Sequence, residues 1–240
     1  MSERMNSHHA ALLGEIKCLA KTQPFECKHS DSYGGHNEKT YKISNPQLRK
    51  VIKSWISKNR NLTLDELIDL LNSIYLKSDS STEKYLGGYL IEYLPKLRKH
   101  INPQLLDRWL NHLTGWSQID SLCQSKFSSA DMQSNWEDWE KTIKSFNNSH
   151  NVSKLRASLV LLTGPVREAR NDMFAKLAFE NIDNLKSEKD ILITKAISWL
   201  LRDMIKWHRN EVEQYLVTNG AFLPKIAVRE TKRKLTTGRK

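Results

Sequence analysis

Trp116 and Asp120 stand four residues apart, so on a helix they share one face. A carboxylate beside an aromatic ring can stabilise positive charge developing on a bound molecule and can position water. The plainer reading of Asp120 is an acid near a helix start, where it complements the helix dipole. A second group lies within residues 190–207. At about 100° per residue, Ile193, Ile197, Leu200, Leu201 and Met204 form one apolar stripe. Lys195, Arg202 and Lys206 fall on the opposite face, and Trp199 lies among them. An aromatic ring flanked by cations suits a sugar–phosphate backbone. The competing reading is a Trp packed against a neighbouring helix. A third candidate, Arg156, precedes the largely apolar run 157–162 and so sits at the edge of a buried helix. A structural ion pair and an anion contact are both open to it. The eight His show no metal-binding spacing such as HExxH, and no metal site is expected. The absence of a P-loop, GxGxxG or GxSxG counts against nucleotide hydrolysis and against a serine hydrolase.

The elements that must position these residues are helical. Leu64, Leu67, Leu71 and Ile74 recur at three- and four-residue steps, with Thr63 and Glu66 placed as a capping box. Asn45-Pro46 opens another helix, with Leu48, Val51, Ile52 and Trp55 on one side. Asn102-Pro103 opens a third that stops at Gly115. Helical spacing continues over 2–21, 82–99, 116–124, 131–146, 152–163, 165–179, 190–207, 210–218 and 224–235. The segment 23–44 reads as a polar loop with a Gly34-Gly35 pair, and no alternating run predicts a sheet. Short-linked helix pairs that cannot each close a core stack into an α-solenoid, whose concave face can present residues from several repeats to one long ligand. The fold class expected is therefore all-α, a solenoid of HEAT-like antiparallel pairs with a concave basic groove. A globular helical bundle is the alternative. One domain is expected over residues 1–240, with 236–240 a flexible basic tail.

Composition narrows the function. Among 240 residues, 38 Lys and Arg face 27 Asp and Glu, a formal charge of +11. Such an excess favours a polyanionic partner, and nucleic acid is the commonest. The excess is concentrated: residues 201–240 hold ten basic and four acidic side chains, whereas 101–150 hold four basic and six acidic. Three Cys without a CxxC pair argue against a disulfide framework and a thiolate zinc site. No apolar run approaches the roughly 20 residues of a membrane span. The opening Met1–Asn6 lacks a basic start followed by an apolar block, so no secretory signal is expected.

Taken together, these segments resemble the DNA alkylation repair enzymes of the AlkD type, bacterial DNA glycosylases built of HEAT-like repeats. The resemblance runs through Tyr33, residues 43–49 (ISNPQLR), 116–121 (WSQIDS), Arg156-Ala157, 195–203 (KAISWLLRD) and Arg229-Glu230. It extends from about residue 10 to 235. It implies that Asp120 is the catalytic carboxylate and that Trp116 and Trp199 cradle the lesion nucleotide. It implies further that Arg156 and Arg202 line the DNA-binding face, with Tyr33 an N-terminal aromatic of that cleft. Lys195 and Lys206, on the cationic face of the 190–207 helix, would join them in contacting DNA. Lys42 and Ser153 depart from the family pattern, which has Gly and an aromatic there. The activity implied is excision of positively charged N3- and N7-alkylated purines in base excision repair. The implied partner is double-stranded DNA carrying such purines, with no cofactor, no membrane association and a monomeric state. The implied location is the bacterial cytoplasm, at the nucleoid when bound to DNA. The alternative is a catalytically silent HEAT-like module that binds DNA.

Overall fold

The computed structural model describes residues 5–21, 24–26, 35–124 and 126–239. Tyr33 lies outside the described residues. The fold is all-α, and the chain divides into two compact units, Met1–Leu122 and Cys123–Lys240.

The first unit contains α1 (Ser7–Ala20), α2 (Asn45–Lys58), α3 (Leu64–Lys77), α4 (Ser81–Tyr93), α5 (Pro95–Arg98), α6 (Leu105–Leu110) and α7 (Gly115–Cys123), which ends at the unit boundary. Its starts follow the sequence signals. Thr63 and Glu66 close the capping box of α3, with the Thr63 N–H donating to Glu66 Oε2 at 2.8 Å. The Glu66 carboxyl is held below its ordinary value, chiefly by that backbone donor and then by the Thr63 hydroxyl. Helix α2 begins one residue earlier than Pro46 implies, because Ser44 caps it and donates to Gln47 Oε1. Leu48, Val51, Ile52 and Trp55 are buried, as their shared face requires. A buried polar knot ties α1 to α3 and α4: His9 reaches Ser73 Oγ at 3.0 Å and Glu83 Oε2 at 3.2 Å.

The second unit contains α8 (Ser129–Gln133), α9 (Trp136–Asn147), α10 (Val152–Glu168), α11 (Asp172–Leu185), α12 (Ile191–Met204), α13 (Arg209–Asn219) and α14 (Lys225–Thr237). Here α10, α12 and α14 pack in a row, the side-by-side stacking expected of a solenoid, while α9, α11 and α13 fill the spaces between neighbours. Ile193, Ile197, Leu200, Leu201 and Met204 are completely buried.

Some local expectations were wrong. Residues 152–163 and 165–179 are not two helices meeting at Pro165, because α10 runs through it. Proline removes one helical N–H and crowds the preceding turn. Residues 156–166 are nonetheless all buried, so packing overrides the break. The stretch after Pro103 is helical only over α6, and 131–146 splits into α8 and α9. The segment read as a polar loop contains a short antiparallel ladder, β1 (Phe25–Glu26) with β2 (Lys39–Thr40). Two-residue strands carry too little alternation to register in sequence. Helix α14 extends to Thr237, two residues into the stretch expected as tail.

Helices α4 and α7 approach one another closely. A Cβ placed on Gly88 would lie 2.0 Å from the Ser121 carbonyl oxygen, so only glycine admits this packing. Gly14, inside α1, has open space at the same position. Gly88→Ala is expected to lower stability by about 1–3 kcal/mol through overpacking. Gly14→Ala is expected to raise it by about 0.5–1 kcal/mol through helix propensity. Urea unfolding midpoints of the two variants, moving in opposite directions from the parent, check this.

Candidate functional site

Helix α7 carries Trp116 and Asp120. It begins at Gly115, whose φ of 68° lets the chain turn sharply out of the preceding loop. Trp116 is half-buried, and Asp120 keeps 9% of its surface exposed. A helix start leaves backbone N–H groups without helical acceptors, and a buried start needs other partners. The side chain of Gln118 supplies one. It is fully buried, and its Oε1 accepts from the Thr114 N–H at 2.9 Å. Its amide nitrogen donates to Glu38 Oε2 at 2.9 Å. The other oxygen of Glu38 accepts from Lys84 Nζ at 2.5 Å and from Thr114 Oγ1 at 3.4 Å. Lys84, on α4, also donates to the His112 carbonyl at 2.6 Å. A second tie runs from His36 Nε2 to Tyr85 Oη at 3.2 Å and on to Ser117 Oγ at 2.8 Å. Burial holds the His36 imidazole below its ordinary value; Glu38 opposes the shift and Lys84 adds to it.

The second unit carries Arg156, Lys195, Trp199, Arg202 and Lys206, and the structure separates their situations. Arg156 is buried at 4% exposure, and its guanidinium donates to the Leu192 carbonyl at 2.6 Å. It therefore joins α10 to the first turn of α12. Arg202 is half-buried. Its Nη2 lies 3.4 Å from Glu230 Oε2, and its Nε donates to the Ser198 carbonyl at 3.0 Å. Ser198 Oγ donates to the same Glu230 oxygen at 2.6 Å, so Glu230 of α14 ties down two residues of α12. Lys195 is exposed. Lys206 is exposed as well, and its Nζ donates to the Arg167 carbonyl at 3.1 Å. Trp199 is half-buried, beside Lys195 and Arg202 in register.

The model of the family described as DNA alkylation repair enzyme matches residues 19–235 of this chain. The chain belongs to that family. A solved structure described as a predicted DNA alkylation repair enzyme from Enterococcus faecalis is similar to it. The two share 18% identity over 98% of each chain, with a TM-score of 0.67. At that identity the likeness speaks to the fold. No curated protein matches the chain. Membership in a DNA alkylation repair family makes DNA repair the general role and DNA the substrate. Among the described residues, no helix is long and apolar enough to cross a membrane, and no three His, Cys, Asp or Glu side chains group as metal ligands.

Two sets of residues in this member of the family escape sequence reasoning. Glu38 lies in a segment without periodicity, and its partners Lys84 and Gln118 are 46 and 80 residues away. Nothing local marks it. On α14, Lys225, Arg229, Lys232 and Arg233 are exposed, opposite the buried Ala227 and Thr231. At 3.6 residues per turn they share an arc of about 100° that holds no acid. Their basic run was visible in sequence; the common face follows from the helix.

Arg156 and Lys195 should respond differently to loss of charge. Arg156→Met retains most of the stem but removes the bond to Leu192, and is expected to cost about 1.5–3 kcal/mol, as for hydrogen bonds to charged groups. Lys195→Met, on the surface, is expected to stay within about 0.5 kcal/mol of the parent. Chemical denaturation of both variants at one pH measures the contrast.

Proposed function

We propose that this protein is a DNA glycosylase that excises positively charged N3- and N7-alkylated purines from duplex DNA in base excision repair. The observation that carries the reading is the pair on α7. Trp116 and Asp120 sit one turn apart on a helix whose start is fixed by the side-chain hydrogen bonds of Gln118, in a chain of the DNA alkylation repair family.

The chemistry accounts for so sparse a site. Ordinary glycosidases use two carboxylates because the leaving group must be protonated. An N3- or N7-alkylpurine already carries positive charge, so breaking its glycosidic bond releases a neutral base. One carboxylate then suffices: Asp120 stabilises the oxocarbenium charge developing on the sugar and positions the attacking water. The ring of Trp116 offers a face to the cationic nucleotide, an interaction of about 0.5–2 kcal/mol depending on desolvation. In the second unit, Trp199, Lys195 and Lys206 serve contact with the sugar–phosphate backbone, and Arg202 serves it while tethered to Glu230. Arg156 contributes by setting α12 against α10. The exposed basic face of α14 adds sequence-independent attraction to duplex. The low exposure of Asp120 favours the second reading, a DNA-binding module without catalysis, and the same experiment separates the two.

Single-turnover release of N7-methylguanine and of hypoxanthine is compared in one duplex sequence at one pH. The cationic lesion is expected to be released readily and the neutral one little, because an ionised Asp120 cannot also donate a proton. Asp120→Asn is expected to slow release by about 10²–10³-fold, the usual effect of losing one such electrostatic group. Duplex affinity should change little. Comparable release of hypoxanthine would require a second acid. No release of any cationic lesion, with duplex binding intact, would establish the silent module.

Replacing Lys225, Arg229, Lys232 and Arg233 together by Gln is expected to weaken binding to any duplex. The slope of log affinity against log salt should become shallower by roughly 0.9 for each phosphate that the variant no longer neutralises. Base release at saturating DNA should persist. A slope equal to the parent's would remove α14 from the interface.

A further inference from the structure

We infer that the segment Gly35–Glu38 is a positioning element for Trp116 and Asp120, an inference that rests on the glycosylase reading of α7.

Gly35, His36 and Glu38 of this segment are each tied to α7. Gly35 abuts the Trp116 ring: a Cβ there would stand 3.3 Å from Trp116 Cδ1, tighter than ordinary contact, and 3.7 Å from its backbone nitrogen. Gly35 also has φ of 73°, the left-handed region that side chains disfavour. His36 reaches Ser117 through Tyr85. Glu38 reaches Gln118 directly and Thr114 through its hydroxyl. Three consecutive α7 residues, Trp116 to Gln118, are thus held from outside the helix. Further along α7, the Ser121 carbonyl is met by the close approach of Gly88 of α4. Asp120 lies between these two points of fixation.

The chemistry proposed for Asp120 makes its placement consequential. With no proton to transfer to the base, its contribution is electrostatic, and electrostatic stabilisation depends on preorganised groups at fixed distance. Displacement of a reacting group by about 1 Å can cost on the order of 10²-fold in rate. The Glu38 carboxylate receives donors from α4, from the loop before α7 and from α7 itself, so it fixes three elements at one point. The Lys84 side chain is 7% exposed and that of Glu38 26%, so the ammonium is buried while the carboxylate keeps some contact with solvent.

The test uses two variants, because removing one partner of a buried ion pair can unfold a protein. Gly35→Ala disturbs only the contact with Trp116 and the local backbone. Glu38→Gln combined with Lys84→Met removes both charges together and leaves an amide oxygen for Gln118. Each variant is first shown to fold by far-ultraviolet circular dichroism. Single-turnover release of N7-methylguanine is then measured beside duplex affinity. Both variants are expected to lose at least about tenfold in rate, with affinity within twofold of the parent. In a Trp116→Phe background the further effect of Gly35→Ala is expected to shrink to less than about threefold, since coupled residues are not additive. Near-ultraviolet circular dichroism provides a readout independent of activity. Gly35→Ala is expected to change the aromatic signal, and the change should vanish in the Trp116→Phe background. If the parent itself releases no base, the glycosylase reading fails while the aromatic signal still decides the clamp. A parental rate in a folded variant, or an undiminished Gly35→Ala effect without Trp116, would overturn the inference.

Discussion

A helix start must find acceptors for its N–H groups, and in the first unit that demand organises the surroundings of α7. Gln118, from within the first turn, bends back on the Thr114 N–H and offers its own amide to Glu38. Glu38 in turn makes Lys84 tolerable inside the unit, since a buried ammonium without a carboxylate would be strongly unfavourable. Remove the carboxylate and three problems arise at once: an orphaned cation, an unsatisfied amide and a loosened helix start. The position of Trp116 and Asp120 follows from this arrangement rather than from the intrinsic helix propensity of α7.

The second unit solves a different problem. Helices α10, α12 and α14 need apolar stripes to pack in a row, yet each also carries cationic side chains. The two needs are met on different arcs of each helix. On α12 the apolar stripe is fully buried while Lys195 remains outside, and Lys206 is exposed in the turn that follows the helix. Between those extremes, polar residues stitch the row together. Glu230 accepts from Ser198 and pairs with Arg202, Lys234 donates to the Arg202 carbonyl, and Arg167 pairs with the buried Asp203. Like charges would otherwise repel across the α12–α14 boundary, and Glu230 lowers that cost where the two helices meet.

What the sequence disclosed depended on range. Features set by the nearest few residues were legible: the capping box at Thr63 and Glu66, the buried face of α2, and the stripe on α12 opposite Lys195, although the helix stops at Met204, before Lys206. Features set by partners far along the chain were not. Pro165 marks a helix boundary by every local rule, and only the burial of the residues around it explains why α10 continues. Arg156 was legible as a residue at the edge of a buried helix, but its acceptor is a backbone carbonyl 36 residues away, which carries no sequence signature. Glu38 was the hardest case. In a polar segment with no period, its type and spacing are those of any solvated loop acid.

On the glycosylase reading proposed above, stacked helices are enough of a scaffold for the reaction. If the substrate supplies its own leaving-group charge, the protein need provide only an electrostatic element of opposite sign and a surface that holds the strand. A helix face can present a carboxylate and an aromatic ring at fixed spacing, because the residues at i and i+4 are neighbours. Selectivity then arises from the charge of the lesion rather than from the outline of the base. Such a site tolerates many shapes of cationic purine, but it tolerates little error in where the carboxylate stands. The hydrogen bonds of Glu38, Lys84 and Gln118 tie down the helix that bears the acid.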